Sequence, residues 1–270
     1  MPTTIPAGAV RRRLAELAPP TLAESWDNVG WQVGYDEAPI RAILVSLDVD
    51  LAVVEEAAQQ GANLIVAHHP MLFRGVKRIN PADYQGKLLR RLLCDEIYVF
   101  AAHTNLDAVR DGVNGAFADA LELTPIAPLQ PVAGAPSDWG FGAICRDEGI
   151  STTEMVHRVQ AALGAPRPRV TRGIDAPESH ERVALLGGSG ASMIEDALRA
   201  SCTLYVTGEI KYHEAQDAAR AGLTVIEVGH FYSERPVLRR VVEWLEPLGV
   251  PVFESRQLTS PFELNGKDVL

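Results

Sequence analysis

A chain of 270 residues can bury a sizeable core in one or two domains, and 47% hydrophobic with 22% charged residues is ordinary for a globular protein. A net charge of −10 argues against a nucleic-acid backbone or an anionic lipid surface as the main partner, since either would meet general repulsion. Cys94, Cys145 and Cys202 are widely spaced and form no C-x-x-C pair, which points away from a disulfide framework or thiolate zinc site. With no apolar run of signal-peptide or membrane-spanning length, the expected location is cytoplasmic.

Val10 to Leu17 has helical periodicity and is stopped by Pro19-Pro20. Glu24 to Gly34, with Trp26 and Trp31 among Asp, Asn and Gly, reads as a packed loop entering a short strand, the tryptophans acting as anchors. Ile43 to Leu47 is a buried strand ending at Asp48, a helix runs from about Leu51 to Gln60 and stops at Gly61, and Asn63 to Ala67 is a second buried strand. This β-α-β unit predicts a parallel pair with a right-handed crossover. Asp48 stands at the same sheet edge as His68; capping the following helix is its expected role, and supporting the site as a carboxylate is the other.

The second strand ends in His68-His69-Pro70. In open α/β sheets ligands bind at the carboxyl ends of strands. Neighbours on an extended chain point to opposite sides, so the two histidines reach two ions, or one if the chain turns after Ala67. Met71 to Asn80 reads as loop and Tyr84 to Cys94 as helix. Ile97 to Ala102 is a strand ending in His103, with Asp107 four residues on and a helix from Gly112 to about Leu123. Thr124 to Ser137 carries four prolines and marks a domain boundary. Beyond it the spacing predicts strand 139–146, helix 152–163, strands 167–172 and 182–187, helix 191–200 and strand 203–206, the ferredoxin-like β-α-β-β-α-β order. Gly187-Gly188-Ser189-Gly190 joins a strand to a helix as a tight turn, being neither G-x-G-x-x-G nor a P-loop. His157 lies mid-helix and His180 in a loop, with no partner pattern for either. Thr224 to Val228 is a further strand, ending in Gly229-His230 with Glu234 four residues after the histidine. Pro236 then opens an amphipathic helix, Val237 to Leu245, and Val252-Phe253 adds an edge strand.

The fold class expected is α/β, with two α/β domains and mixed sheets. A discontinuous metal-binding domain takes residues 1–127 and 208–270, and an inserted domain, ferredoxin-like in element order, takes residues 128–207. Three strand ends supply His68-His69, His103-x-x-x-Asp107 and His230-x-x-x-Glu234, which accounts for four of the seven histidines. Imidazole with carboxylate suits zinc, manganese, iron or nickel. These donors exceed the needs of one tetrahedral ion, whereas two ions sharing a bridging carboxylate would use them.

Trp26-Asp27-Asn28-Val29-Gly30, His68-His69-Pro70, His103-Thr104-Asn105-Leu106-Asp107, Thr207-Gly208-Glu209 with Lys211-Tyr212-His213, and Gly229-His230 with Ser233-Glu234-Arg235 follow one another in this order. In this the sequence resembles the YbgI-like or Nif-three-like family, commonly labelled GTP cyclohydrolase I type 2 homologue. The motifs span nearly the whole chain, except Ile126 to Ala200. The resemblance implies two divalent ions held by His68, His69, Asp107, His230 and Glu234, with Glu234 bridging and His103 beside them as a weaker ligand or proton-transfer group. It also implies a toroidal homohexamer whose metal centres face an internal cavity. The family's Thr-Gly-Asp stands here as Thr-Gly-Glu, lengthening the side chain at Glu209.

The label implies a metal-dependent hydrolase of a nucleotide-like small molecule, opening the GTP imidazole ring at C8 with release of formate. Arg74, Lys77, Lys211 and Arg235 are the candidate triphosphate contacts. The same donors would also serve a metallophosphoesterase or amidohydrolase-like activity on another small molecule, or a metal-binding carrier or regulatory scaffold without turnover.

Overall fold

The strands of the two larger sheets are, in chain order, β1 (Gly30–Val33), β2 (Ile43–Ser46), β3 (Leu64–Ala67), β4 (Tyr98–Ala101), β5 (Thr124–Ala127), β6 (Ala143–Ser151), β7 (Arg169–Thr171), β8 (Ser179–Ser189), β9 (Leu204–Glu209), β10 (Thr224–Glu227) and β11 (Val252–Glu254). The computed structural model describes residues 3–262. The first sheet has the order β11-β2-β3-β4-β1 and the second the order β7-β10-β9-β8-β6-β5.

In the first sheet β2 and β3 are buried at every position, as strands covered on both faces must be. Alternation sorts their side chains: Ile43, Val45, Leu64 and Val66 join a core with the helices Ala7–Leu17 and Pro236–Leu245. Leu44 and Ile65 face the other way, against the helices Leu51–Gln59 and Tyr84–Cys94. Each fully buried Leu, Ile or Val contributes ~1.5–3 kcal/mol, so this double-sided packing is what fixes the carboxyl ends of β3 and β4. The β2–β3 pair is parallel, as the β-α-β pattern requires, and β11 adds to the edge beside β2. Asp50, not Asp48, caps the helix Leu51–Gln59: its carboxylate accepts from the Val53 amide at 2.8 Å. Asp48 lies two residues too early for that amide and faces the site instead.

The second sheet takes in Thr124–Ala127 and Thr224–Glu227, on either side of residues 128–207. Its element order is the expected β-α-β-β-α-β, but its pairing is not ferredoxin-like. There the strands around 167–172 and 182–187 would lie side by side. Here β7 pairs antiparallel with β10, while β8 lies between β6 (antiparallel) and β9 (parallel). The parallel run β8-β9-β10 explains the difference. Once β10 docks beside β9, the only backbone edge left for β7 on that side is the outer one of β10. Among the described residues, no helix is long and apolar enough to cross a membrane.

His180 is in β8 rather than in a loop and is fully buried. Its Nε2 lies 3.0 Å from Thr152 Oγ1 and its Nδ1 2.9 Å from Thr203 Oγ1, so both ring nitrogens are satisfied by hydroxyls that suit a neutral ring. Burial, and secondarily Arg172, holds this imidazole below its ordinary value. In the unfolded chain it takes up a proton near pH ~6.5. Its contribution is therefore complete above that pH and is lost as pH falls through the folded value. We expect the drop in Tm between pH 7 and pH 5 to be smaller in His180→Gln than in wild type. Equal drops would mean another group carries the acid sensitivity.

Candidate metal centre

The two sheets meet where β3, β4 and β10 end, and each of these strands delivers a histidine into the seam. After Ala67 the His68 and His69 amides still bond to Ser46 and Leu47 of the neighbouring strand, at 3.0 and 2.8 Å. The chain bends there all the same, and the imidazoles do not point to opposite sides: their centroids are 4.8 Å apart. His103 sits 5.2 Å from His68 and 5.5 Å from His69, and His230 sits 5.3 Å from His69. The sequence motifs thus bring all four rings together.

Glu234, 4% exposed, lies at the middle of the cluster. Its Oε2 is 3.1 Å from His69 Nε2 and its Oε1 3.1 Å from His230 Nε2, with His68 Nε2 at 3.8 Å from Oε1. Burial would raise its pKa, but the three imidazoles outweigh this and hold the carboxyl well below the usual range. Burial likewise works against protonation of His69, yet Asp48 and Glu234 push its pKa up to about 10. Asp107 behaves in the opposite sense, its burial raising the carboxyl to about 6. Its Oδ1 lies 3.6 Å from His68 Nε2.

The outer ring nitrogens are anchored. His68 Nδ1–H donates to the Ala102 carbonyl at 3.0 Å; His69 Nδ1 is 2.9 Å from Asp48, and His103 Nδ1 is 2.9 Å from Asp27. This is how metal-ligating histidines are usually held, with the far nitrogen on a carbonyl or carboxylate and the near one turned inward. One inward atom, His68 Nε2, is buried without a hydrogen-bond partner, and Glu234 Oε2 is buried with only the poorly aligned His69 Nε2 at 3.1 Å. Such atoms are costly unless something binds them, and a cation fits both. Two overlapping sets of side chains have donor atoms within 4.8 Å of one another: His68, His69 and His103, and His69, His230 and Glu234.

Sequence reasoning offered Asp48 as a supporting carboxylate and missed the other supporting residues. Asp27 anchors His103 from 76 positions away, and Glu209 stands 3.5 Å from His230 Nδ1. Gly188 lies inside β8, not in a turn, with φ +72°, and its backbone presses on the centre: a Cβ there would lie 2.5 Å from Glu234 Oε1. His213 is exposed, beside Gln216 at 3.3 Å. A cleft of ≈ 840 Å³ opens onto His69 and His230, with Asp48, Lys211, Tyr232 and Phe262 among its walls. Of the expected triphosphate contacts, Lys211 lines this cleft and Arg74 and Lys77 do not. Arg235 has its guanidinium carbon 5.9 Å from the Phe231 ring centroid.

Residues 7–261 match the family described as Duf34/NIF3 (NGG1p interacting factor 3). A relative from Clostridium perfringens named "GTP cyclohydrolase 1 type 2 homolog" is 32% identical over 256 residues, covering 93% of this chain and 96% of its own. One of the same name from Nostoc sp. is 35% identical over 244 residues, covering 85% and 90%. Among solved structures, a Staphylococcus aureus hypothetical protein superimposes with a TM-score of 0.88 at 25% identity, over 97% of this chain and all (100%) of that one.

Proposed function

The chain belongs to the Duf34/NIF3 family, and from that premise we propose that it is a dinuclear metal-dependent hydrolase of a nucleotide-like substrate, with GTP ring opening and formate release as the specific form. The observation that carries this is the buried, partnerless His68 Nε2 beside the buried Glu234 carboxylate, inside a shell of imidazoles anchored from behind. The name shared by the curated relatives supports the nucleotide part. The ligands in this reading are His68, His69, Asp107, His230 and Glu234. Glu234 would be the carboxylate shared between the ions, since its two oxygens face different histidines. The same reading makes the protein a cytoplasmic homohexamer.

Divalent ions held there supply Lewis acidity, to activate water and polarise the substrate. The chain's own residues do the rest. His103 is the group for moving a proton: Asp27 occupies its Nδ1, leaving Nε2 uncommitted beside His68 and His69. Burial, and next to it His68, keeps its pKa below the ordinary value, so at neutral pH it accepts a proton rather than gives one.

Elemental analysis of wild type beside His230→Ala and His157→Ala is the test. We expect about two transition-metal ions per chain in wild type, a sharp fall in His230→Ala, and no change in His157→Ala. No metal in wild type, and none regained on adding zinc, manganese, iron or nickel, overturns the reading. With metal present, formate released from GTP separates the cyclohydrolase from a phosphoesterase. Tight metal with no turnover of either substrate class identifies a carrier.

A further inference from the structure

The centre is approached from two sides, and the two differ in charge. The cleft on the His69 and His230 side carries the carboxylates of Asp48, Glu209, Glu214 and Glu227. Two of its cations are already paired, Arg169 with Glu227 at 2.5 Å and Lys211 with Glu214 at 3.9 Å. On the His103 side stands Trp26, 57% exposed, its ring centroid 6.2 Å from the imidazole and edge-on to it. Phe73, 51% exposed, meets Trp26 edge-on at 5.8 Å. Large aromatic rings this open, beside a buried polar centre, are a feature that core packing does not account for.

The arrangement is built rather than incidental. Asn28 Nδ2 donates to the Leu72 carbonyl at 2.7 Å, and the Leu72 amide donates to Gln32 Oε1 at 3.1 Å. Gln32, 8% exposed, in turn donates to the Asn28 carbonyl at 2.7 Å. These bonds staple the start of the segment after His69-Pro70 onto the loop that carries Trp26, and so hold Phe73 against it. Residues 73–79, which follow, contain Arg74, Lys77 and Arg78 and no carboxylate. All three cations are exposed, and none is in an ion pair among the described residues. In a chain of net charge −10, this is a local reversal of sign.

We propose that Trp26 and Phe73 form a platform on which the planar base of a nucleotide stacks beside His103, with Arg74, Lys77 and Arg78 taking its phosphates. Stacking on an aromatic ring is tolerant of the base but strong enough to orient it, and it sets the heterocycle next to the group that moves protons. The phosphates then run outward over the cationic segment, away from the carboxylates of the cleft. This assignment rests on the nucleotide reading above and names the subsite for it.

The test uses the full metal-loaded chain, titrated calorimetrically with GTP, guanosine and tripolyphosphate. Trp26→Ala and Phe73→Ala should each weaken GTP and guanosine about tenfold, the scale of one base–aromatic stack, and leave tripolyphosphate unchanged. The triple variant Arg74→Ala/Lys77→Ala/Arg78→Ala should weaken GTP and tripolyphosphate about tenfold or more, more steeply at low salt, and spare guanosine. Metal content should equal wild type in every variant. If GTP binds wild type and all variants alike, this subsite is wrong and the function stands. If no nucleotide binds metal-replete wild type, the nucleotide reading falls and takes this proposal with it. If the variants change the mass in solution but not the affinity for GTP, the patch is a contact between copies of the chain and the proposal is overturned.

Discussion

Glu234→Ala is expected to lose nearly all bound metal while keeping its fold. The side chain is buried and stands between His69 and His230, each at 3.1 Å, so no other carboxylate can take its place without moving the chain. Asp107 stands on the His68 side of the cluster, 3.6 Å from His68 Nε2. Two effects on stability oppose each other. Removing one partner of a buried ion pair usually costs ~3–5 kcal/mol, because the other charge is left uncompensated. Imidazole, unlike arginine, escapes by shedding its proton. His69 is held protonated largely by Asp48 and Glu234, against its burial, so losing Glu234 lets burial pull its pKa down from about 10. The net loss should lie well below the arginine case, a Tm decrease of a few degrees by ~1 kcal/mol of ΔΔG. Elemental analysis and calorimetry on one preparation check both halves. Wild-type metal content would remove Glu234 from the ligand set, and an unfolded variant would mean the carboxylate is structural first.

The difference between what was legible in the sequence and what was not follows from the range of the interactions. Ile43 to Ala67 announced a parallel β-α-β unit, because apolar runs bounded by Gly and Pro are local signals and the burial of both strands leaves one solution. The helix Thr152–Leu163 has the bounds its pattern predicts, with Ser151 capping one end and Gly164 closing the other. The histidines were visible because a strand end is a position, and positions can be read from order. Of their supporting partners only Asp48 was, as a carboxylate at the same sheet edge; Asp27 and His103 meet only through the fold, and no period or spacing encodes such a pair. Asp48 and Asp50 are two residues apart and look alike as caps; helix geometry, which needs the acceptor three residues before its amide, chose Asp50. Strand Thr224–Glu227 is short and apolar enough to pair anywhere. Sequence order favoured the first sheet, but its hydrogen bonds go to β9 of the second, which is why the centre lies in a seam between sheets.

That seam makes Gly188→Ala almost as damaging to the centre as the loss of Glu234. Two costs coincide at this position. Its φ of +72° is open to glycine, and an L side chain there costs ~1–2 kcal/mol. The added methyl would also sit 2.5 Å from Glu234 Oε1 and 3.3 Å from His230 Nε2, so something must shift. The backbone cannot easily withdraw, because the Gly188 amide donates to Ser233 Oγ at 3.0 Å and β8 is held between two neighbours. Glu234 is the group that yields, and with it the inward geometry of His69 and His230. Gly164→Ala separates the two costs. Its φ of +66° is comparable, and nothing lies within 4 Å of the new Cβ, so it carries the conformational cost alone. We expect similar small Tm losses from the backbone in both variants, a further Tm loss in Gly188→Ala, and a steep fall in metal content in Gly188→Ala only. Full metal in Gly188→Ala, with a Tm matching Gly164→Ala, would show that Glu234 has room to move. The tight floor beneath the carboxylate would then be no part of how the centre is shaped.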